Sequence, residues 1–138
     1  MTGAPAEIAV LIGTRPEAVK LAPVIRELRD RGATCQVVVT GQHREMLDPV
    51  LSELGIEPDH RLQVLKPGQG LGPLAAALLS ELVRFLEASP PQWLIVQGDT
   101  SSAAMGALAA FYSQVAVAHV EAGLRTQDAG NPFPEEMN

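Results

Sequence analysis

The chain has 138 residues, 46% of them hydrophobic, which is enough for one domain with a real core. A formal charge of −6 and an aromatic content of 4% exclude a nucleic-acid surface built on clustered Lys and Arg or on base-stacking rings, while leaving room for a local anion pocket. The single cysteine, Cys35, excludes an internal disulfide, the N-terminal MTGAPAE has no basic leader before an apolar run, and no apolar stretch is long enough to span a bilayer, so the expectation is a cytoplasmic protein with no nucleic-acid or membrane partner.

Strands and helices alternate along the chain. Glu7–Gly13 (EIAVLIG) is a short apolar run and predicts a buried strand. Glu17–Arg31 follows with helical spacing, Ala18, Leu21, Ala22, Ile25 and Leu28 sharing one face; Pro23 predicts a kink and Gly32 a stop. Thr34–Thr40 predicts a second strand and Glu45–Leu54 a short helix interrupted early by Pro49. Arg61–Leu65 predicts a weak third strand. Leu71–Glu87 carries the apolar stripe Leu71, Leu74, Ala75, Leu78, Leu82 and Phe85 of a long helix. Trp93–Gln97 is the next buried strand, Ser102–Tyr112 an Ala-rich helix able to pack close to a sheet, and Val115–Val120 the last strand. This order implies a parallel sheet with helices on both faces, joined by right-handed crossovers: one Rossmann-like α/β domain over residues 1–138.

In open α/β sheets ligands bind beyond the carboxyl ends of the strands. Those ends are GTRPE (13–17), GQHRE (41–45), GDTSS (98–102) and His119 running into EAGLR (121–125), each a glycine with charged or hydroxyl groups. The opposite edge, Asp30, Gly55–Asp59 and Ala88–Pro91, has ordinary loop composition. At GTRPE a helix start offers N–H groups to an anion, with Arg15 able to add a bidentate contact and Lys20 about one turn on. The competing account makes Thr14 the cap, places Pro16 in the first turn and leaves Arg15 solvated; spacing alone does not separate the two. Asp99, taken alone, is slightly favoured as a helix cap. His43 is expected as a surface histidine and His119 as a buried, hydrogen-bonded strand residue. Glu121, straight after an apolar strand and before a glycine, is poorly placed for a merely solvated face. From Glu121 to Glu136 the chain is a carboxylate-rich loop with a Pro132-Phe133-Pro134 clamp, and it stops as this loop ends, which predicts a fragment of a longer enzyme. No Cys/His ligand spacing calls for zinc, no Ser or Cys sits in a nucleophile elbow, and GTRPE is not the dinucleotide fingerprint, so neither metal nor cofactor is expected.

GTRPEAVKLAPVI (13–25), TGQHREMLDPVL (40–51), QGDTSSA (97–103), HVEAGLRT (119–126) and NPFPEEMN (131–138) resemble, in order, the non-hydrolysing UDP-N-acetylglucosamine 2-epimerases. The resemblance covers the chain from about residue 7 onward. It implies the GT-B arrangement of two Rossmann-like domains around a cleft, of which this chain matches only the first part of the N-terminal domain. It also implies interconversion of UDP-GlcNAc and UDP-ManNAc without a redox cofactor, through loss of the C2 proton, expulsion of UDP to give 2-acetamidoglucal, and re-addition, supplying ManNAc for bacterial surface polysaccharide. By matching position, Asp99, Glu121 and Glu135 are the implied acid/base carboxylates, and Arg15 and Lys20 the implied phosphate-side groups. Gln42 and His43 match a block that contributes to an activator site for a second UDP-GlcNAc in bacterial members, although KPGQG (66–70) lacks the arginine that completes that site in some of them. The full-length parent is expected to be a homodimer. Two other readings share the fold: a hydrolysing relative that releases UDP and free ManNAc, and an inert half-domain.

Overall fold

A computed structural model describes residues 6–41, 43–64, 66, 68–128, 130–131 and 136–138. Five parallel strands form one sheet in the order β3-β2-β1-β4-β5: β1 (Ile8–Ile12), β2 (Cys35–Val39), β3 (His60–Arg61), β4 (Trp93–Gln97) and β5 (Ala116–Val120). The helices are α1 (Arg15–Asp30), α2 (Arg44–Glu53), α3 (Leu71–Ala88) and α4 (Ser101–Tyr112). The Rossmann-like parallel sheet with helices on both faces follows the sequence expectation.

The period of two along each strand distributes the core. Ala9, Leu11, Val38, Leu94 and Val96 face α3 and α4, where Leu74, Leu78, Leu82, Leu86 and Met105 complete one apolar layer. Val10, Ile12, Val37, Val39 and Ile95 face α1 and α2, meeting Leu21, Ile25, Leu47 and Leu51. Each fully buried aliphatic side chain of this kind contributes about 1.5–3 kcal/mol. The small side chains of α4 let it approach closely: a Cβ on Gly106 would stand 2.5 Å from Leu11 Cδ2. At the end of α1, Gly32 adopts φ +82° and donates to Arg29 O while Ala33 donates to Leu28 O, so the predicted stop is a Schellman turn.

Two local expectations change. The third strand is only two residues, His60–Arg61, starting one residue earlier than predicted; Leu62 N–H still reaches Val39 O at 2.8 Å, but the strand lies at the sheet edge and the carbonyl of Leu62 abuts the Gly41 turn. Leu65, its predicted end, lies outside the described residues. Pro49 does not interrupt α2, which runs unbroken from Arg44 to Glu53; the proline is exposed, and the carbonyl it leaves unpaired belongs to the exposed Glu45. Pro23 lies exposed within α1. Among the described residues, no helix is long and apolar enough to cross a membrane.

Candidate active site at the carboxyl ends of the strands

The strand order reverses between β1 and β4, so the crevice beyond their carboxyl ends is where this fold receives ligands. Here the deep part of the crevice is filled by the protein itself. Glu17, third residue of α1 and only 1% exposed, turns its carboxylate back to accept the N–H of Gly13 at 2.8 Å and the N–H of Thr14. Its other oxygen accepts the Thr100 hydroxyl at 2.7 Å, and that hydroxyl in turn caps α4 by accepting Ala103 N–H at 3.0 Å. A Cβ on Gly13 would fall 2.1 Å from Ser102 Oγ, so the starts of α1 and α4 are pressed together across β1 and β4. Burial pushes the Glu17 carboxyl above its usual range, against the pull of its hydrogen-bond donors.

This arrangement bears on two local points. The Gly13 and Thr14 amides expected to greet an anion already hold one, the Glu17 carboxylate. The cap of α4 is Thr100, not Asp99. Asp99 stands in the turn between β4 and α4, half-buried, with its carbonyl accepting Asn138 Nδ2 at 2.8 Å. Thr14 is the N-cap residue of α1, Pro16 lies in its first turn, and Arg15 is exposed with no partner among the described residues.

Glu121 follows β5 with a left-handed backbone, φ 57°, which is unfavourable for a residue with a side chain. Alternation along β5 puts Val117 on the α4 side of the sheet and Ala118 and Val120 on the α1 side. An extended residue 121 would therefore send its side chain toward α4. The left-handed turn breaks that alternation, and the carboxylate instead meets α1: Glu121 Oε2 accepts from Lys20 Nζ and from Gln97 Nε2. Gln97, the last residue of β4, is 4% exposed and shares the α1 side with Ile95. The Lys20 ammonium, with Gln97 adding, holds the Glu121 carboxyl below its ordinary range. Lys20 is thus engaged with a carboxylate.

The loop beyond Glu121 is held by Glu136. This carboxylate takes Arg125 Nε at 2.7 Å and Nη2 at 2.6 Å, Thr126 N–H at 2.7 Å and Thr126 Oγ1 at 3.0 Å. Arg125 first, then the Thr126 N–H, draws its pKa down to about 2. The loop closes a cavity of about 240 Å³ whose lining includes Asp99, His119, Arg125, Glu136 and Asn138. His119 differs from expectation in being exposed, because β5 is an edge strand; its Nε2 is hydrogen-bonded to Gly98 O at 2.7 Å. His43 is an exposed residue at the start of α2, as expected. Gln42, Glu135 and the Pro132-Phe133-Pro134 segment lie outside the described residues. Among the described residues, no group of three or more His, Cys, Asp or Glu is placed to hold a metal.

Asp99 and Glu121 therefore stand at the carboxyl ends of neighbouring strands, with Arg15 and Lys20 on the helix that follows β1. Glu17, Gln97 and Glu136 were not singled out in sequence. Glu17 carries a readable signal, a Glu three residues after a Thr at a helix start; Gln97 and Glu136 carry none that distinguishes them from a strand end and a loop charge.

The family model for UDP-N-acetylglucosamine 2-epimerase matches residues 26–138. A probable UDP-N-acetylglucosamine 2-epimerase of Ralstonia solanacearum is 48% identical over 133 residues, 96% of this chain and 36% of that protein. A crystal structure of a UDP-N-acetylglucosamine 2-epimerase superposes with a TM-score of 0.89 at 43% identity, covering 99% of this chain and 37% of that one. The Neisseria meningitidis enzyme bound to UDP-GlcNAc superposes at 0.88 with 45% identity, covering 95% and 36%. The chain thus spans about a third of the length of the proteins it matches. With a match over most of its residues, the chain belongs to the UDP-N-acetylglucosamine 2-epimerase family.

Proposed function

We propose that this chain forms the N-terminal, carboxylate-bearing part of a two-domain, cytoplasmic, homodimeric enzyme that interconverts UDP-GlcNAc and UDP-ManNAc by elimination and re-addition of UDP. The observation that carries this reading is the placement of Glu121: a carboxylate at a strand end, on a strained backbone, tethered by Lys20 and Gln97 beside the Asp99 turn. Strain of that kind at a ligand-facing strand end suits a group set for chemistry.

A C2 proton is weakly acidic and needs a positioned base. Glu121, kept ionised by the Lys20 ammonium, takes that proton; the C2–H electron pair forms the C1–C2 double bond as the C1–O bond to UDP breaks. The products of this half-reaction are 2-acetamidoglucal and UDP. A second acid, drawn from Asp99 and Glu135, protonates C2 from the other face while UDP oxygen bonds again to C1. Arg15, exposed and without a partner among the described residues, serves the diphosphate, whose developing charge needs cationic donors. The Glu17 carboxylate already occupies the Gly13 and Thr14 amides, which leaves side-chain cations and the second domain to hold the phosphates. Gln42 and His43 belong, in this reading, to an activator site.

The test is to incubate the longer enzyme with UDP-GlcNAc in D2O. UDP-ManNAc carrying deuterium at C2 is the expected product. Free ManNAc with stoichiometric UDP would transfer the assignment to the hydrolysing branch. Residues 1–138 alone are expected to give no epimerisation, because the chain spans about a third of the length of its relatives; turnover by this chain alone would defeat the two-domain account.

A further inference from the structure

We propose that Gln97 is a positioning residue for Glu121, fixing one carboxylate oxygen so that the other is left for the reacting proton. The inference rests on the reading of Glu121 as an acid/base group and adds the device that aims it. Both donors, Lys20 Nζ and Gln97 Nε2, converge on Oε2, and Oε1 has no partner among the described residues. The two donors differ in kind. Lys20 is about half exposed at its side chain, on a flexible stem. Gln97 is 4% exposed, and its backbone is pinned in the β4–β5 ladder opposite Val120. A mobile surface cation sets charge but not direction; a buried amide on a strand sets direction.

The backbone supplies the second strand of the argument. A left-handed residue 121 is needed to bring the carboxylate from the α4 side to the α1 side, and that conformation is unfavourable for glutamate. On the α1 side, where the side chain arrives, the carboxylate accepts from Gln97 and Lys20, and these hydrogen bonds help offset that cost. Neighbouring Gly98 donates to Val120 O at 3.0 Å, so a single short segment, Gln97-Gly98, ties the end of β5 to β4 through both backbone and side chain. Loss of the amide would leave Glu121 charged but free to rotate, and misplacement of about 1 Å costs on the order of 10²-fold in rate.

The test uses NMR on the isotope-labelled 138-residue chain. Gln97→Leu should abolish the strong intraresidue HN–Hα cross peak that marks the left-handed backbone at Glu121, and should average its side-chain couplings. Unchanged Glu121 signals in a folded Gln97→Leu protein would overturn the proposal. Should Gln97→Leu fail to fold, Glu121→Gln read at the Gln97 side-chain amide gives the answer from the other partner: a displaced Nε2 resonance supports the contact, and an unmoved one refutes it. In the longer enzyme, Gln97→Leu should lower kcat about 10²-fold with KM nearly unchanged, and Gln97→Asn or Gln97→His, which keep an N–H donor, should recover part of it. If the NMR changes occur but the unsubstituted longer enzyme does not epimerise, the functional reading fails while the positioning contact stands.

Discussion

The two halves of the candidate site are built on opposite principles. Around β1 and β4, Gly13, Glu17, Thr100 and Ser102 form a buried knot in which each hydrogen bond of the Glu17 carboxylate is made within the protein. Around β5, Glu121, Arg125, Asp128 and Glu136 lie on a loop that is exposed for most of its length and held by ion pairs at the surface. Toward a ligand the knot projects the side chains of Arg15 and Asp99. The loop has functional groups in plenty but takes its geometry from contacts back to the framework: Lys20 and Gln97 at one end, Asn138 to Asp99 at the other. On the proposed function, rigidity and reactivity are divided between neighbouring strand ends.

The comparison is most easily broken on the rigid side. Gly13→Ala would place a Cβ 2.1 Å from Ser102 Oγ and 2.6 Å from Ser102 Cβ, so one helix start would have to shift. A loss of about 1–3 kcal/mol or more is expected in denaturant titration, and Ser102→Gly in the same chain should restore most of it. Failure of that rescue would mean the close approach of α1 and α4 is not the constraint.

Glu17→Ala comes next. It strands the buried Gly13 N–H, the part-buried Thr14 N–H and the Thr100 hydroxyl, so the expected loss is about 1–3 kcal/mol for each group left unsatisfied, less whatever water recovers. The pH dependence tests the same residue by sign. The folded-state carboxyl is raised above 4.5, so its contribution is complete below that value and is lost as pH rises through the folded pKa. Glu17→Gln should remove that slope from the stability–pH curve; an unchanged slope would place it in another group.

On the reactive side the effects on folding should be small and those on ligands larger. Arg15→Ala in the longer enzyme is expected to weaken UDP by roughly 1.5–3 kcal/mol in titration calorimetry, through loss of a charge-assisted contact. Unchanged affinity would return Arg15 to the role of a solvated helix-start residue.

The smallest effect is expected at the loop clamp. With its folded pKa at about 2, Glu136 keeps Arg125 and Thr126 in place above the ordinary carboxylate range and releases them only as pH falls from about 4.5 toward 2. The Thr126 amide resonance should hold its position down to that range and then move. Movement near pH 4.5 would show that the clamp does not form in solution.

The same division explains what could be read in the sequence. β1, β2 and β4 announce themselves because most of their residues are buried against one helix layer or the other, leaving unbroken apolar runs. α4 is legible from its small side chains, which only a close packing against the sheet requires. The bounds of β3 are not legible because an edge strand of two exposed residues has no apolar pattern to show. Among the candidate residues, the strand-end positions of Asp99 and Glu121 are legible from the apolar runs before them, although Asp99 alone reads as a helix cap and Thr100 takes that place. Their supports are not legible. A glutamate three residues after a Thr at a helix start reads as a capping group, but nothing local to Glu17 says that Ser102 and Thr100 will close over it. Likewise Gln97 reads as the end of a strand until the left-handed turn at Glu121 brings a carboxylate to it, and that turn is made by a residue type that rarely adopts it.

Whether Glu121 takes the C2 proton is the question on which the functional account turns. Glu121→Gln in the longer enzyme keeps the shape and both tethers' neighbours while removing the base. With UDP-GlcNAc in D2O, exchange of solvent deuterium into C2 should fall by about 10²–10⁴-fold, with UDP binding little changed. Near-normal deuterium entry and turnover in that variant would contradict the account and leave Glu121 a structural residue.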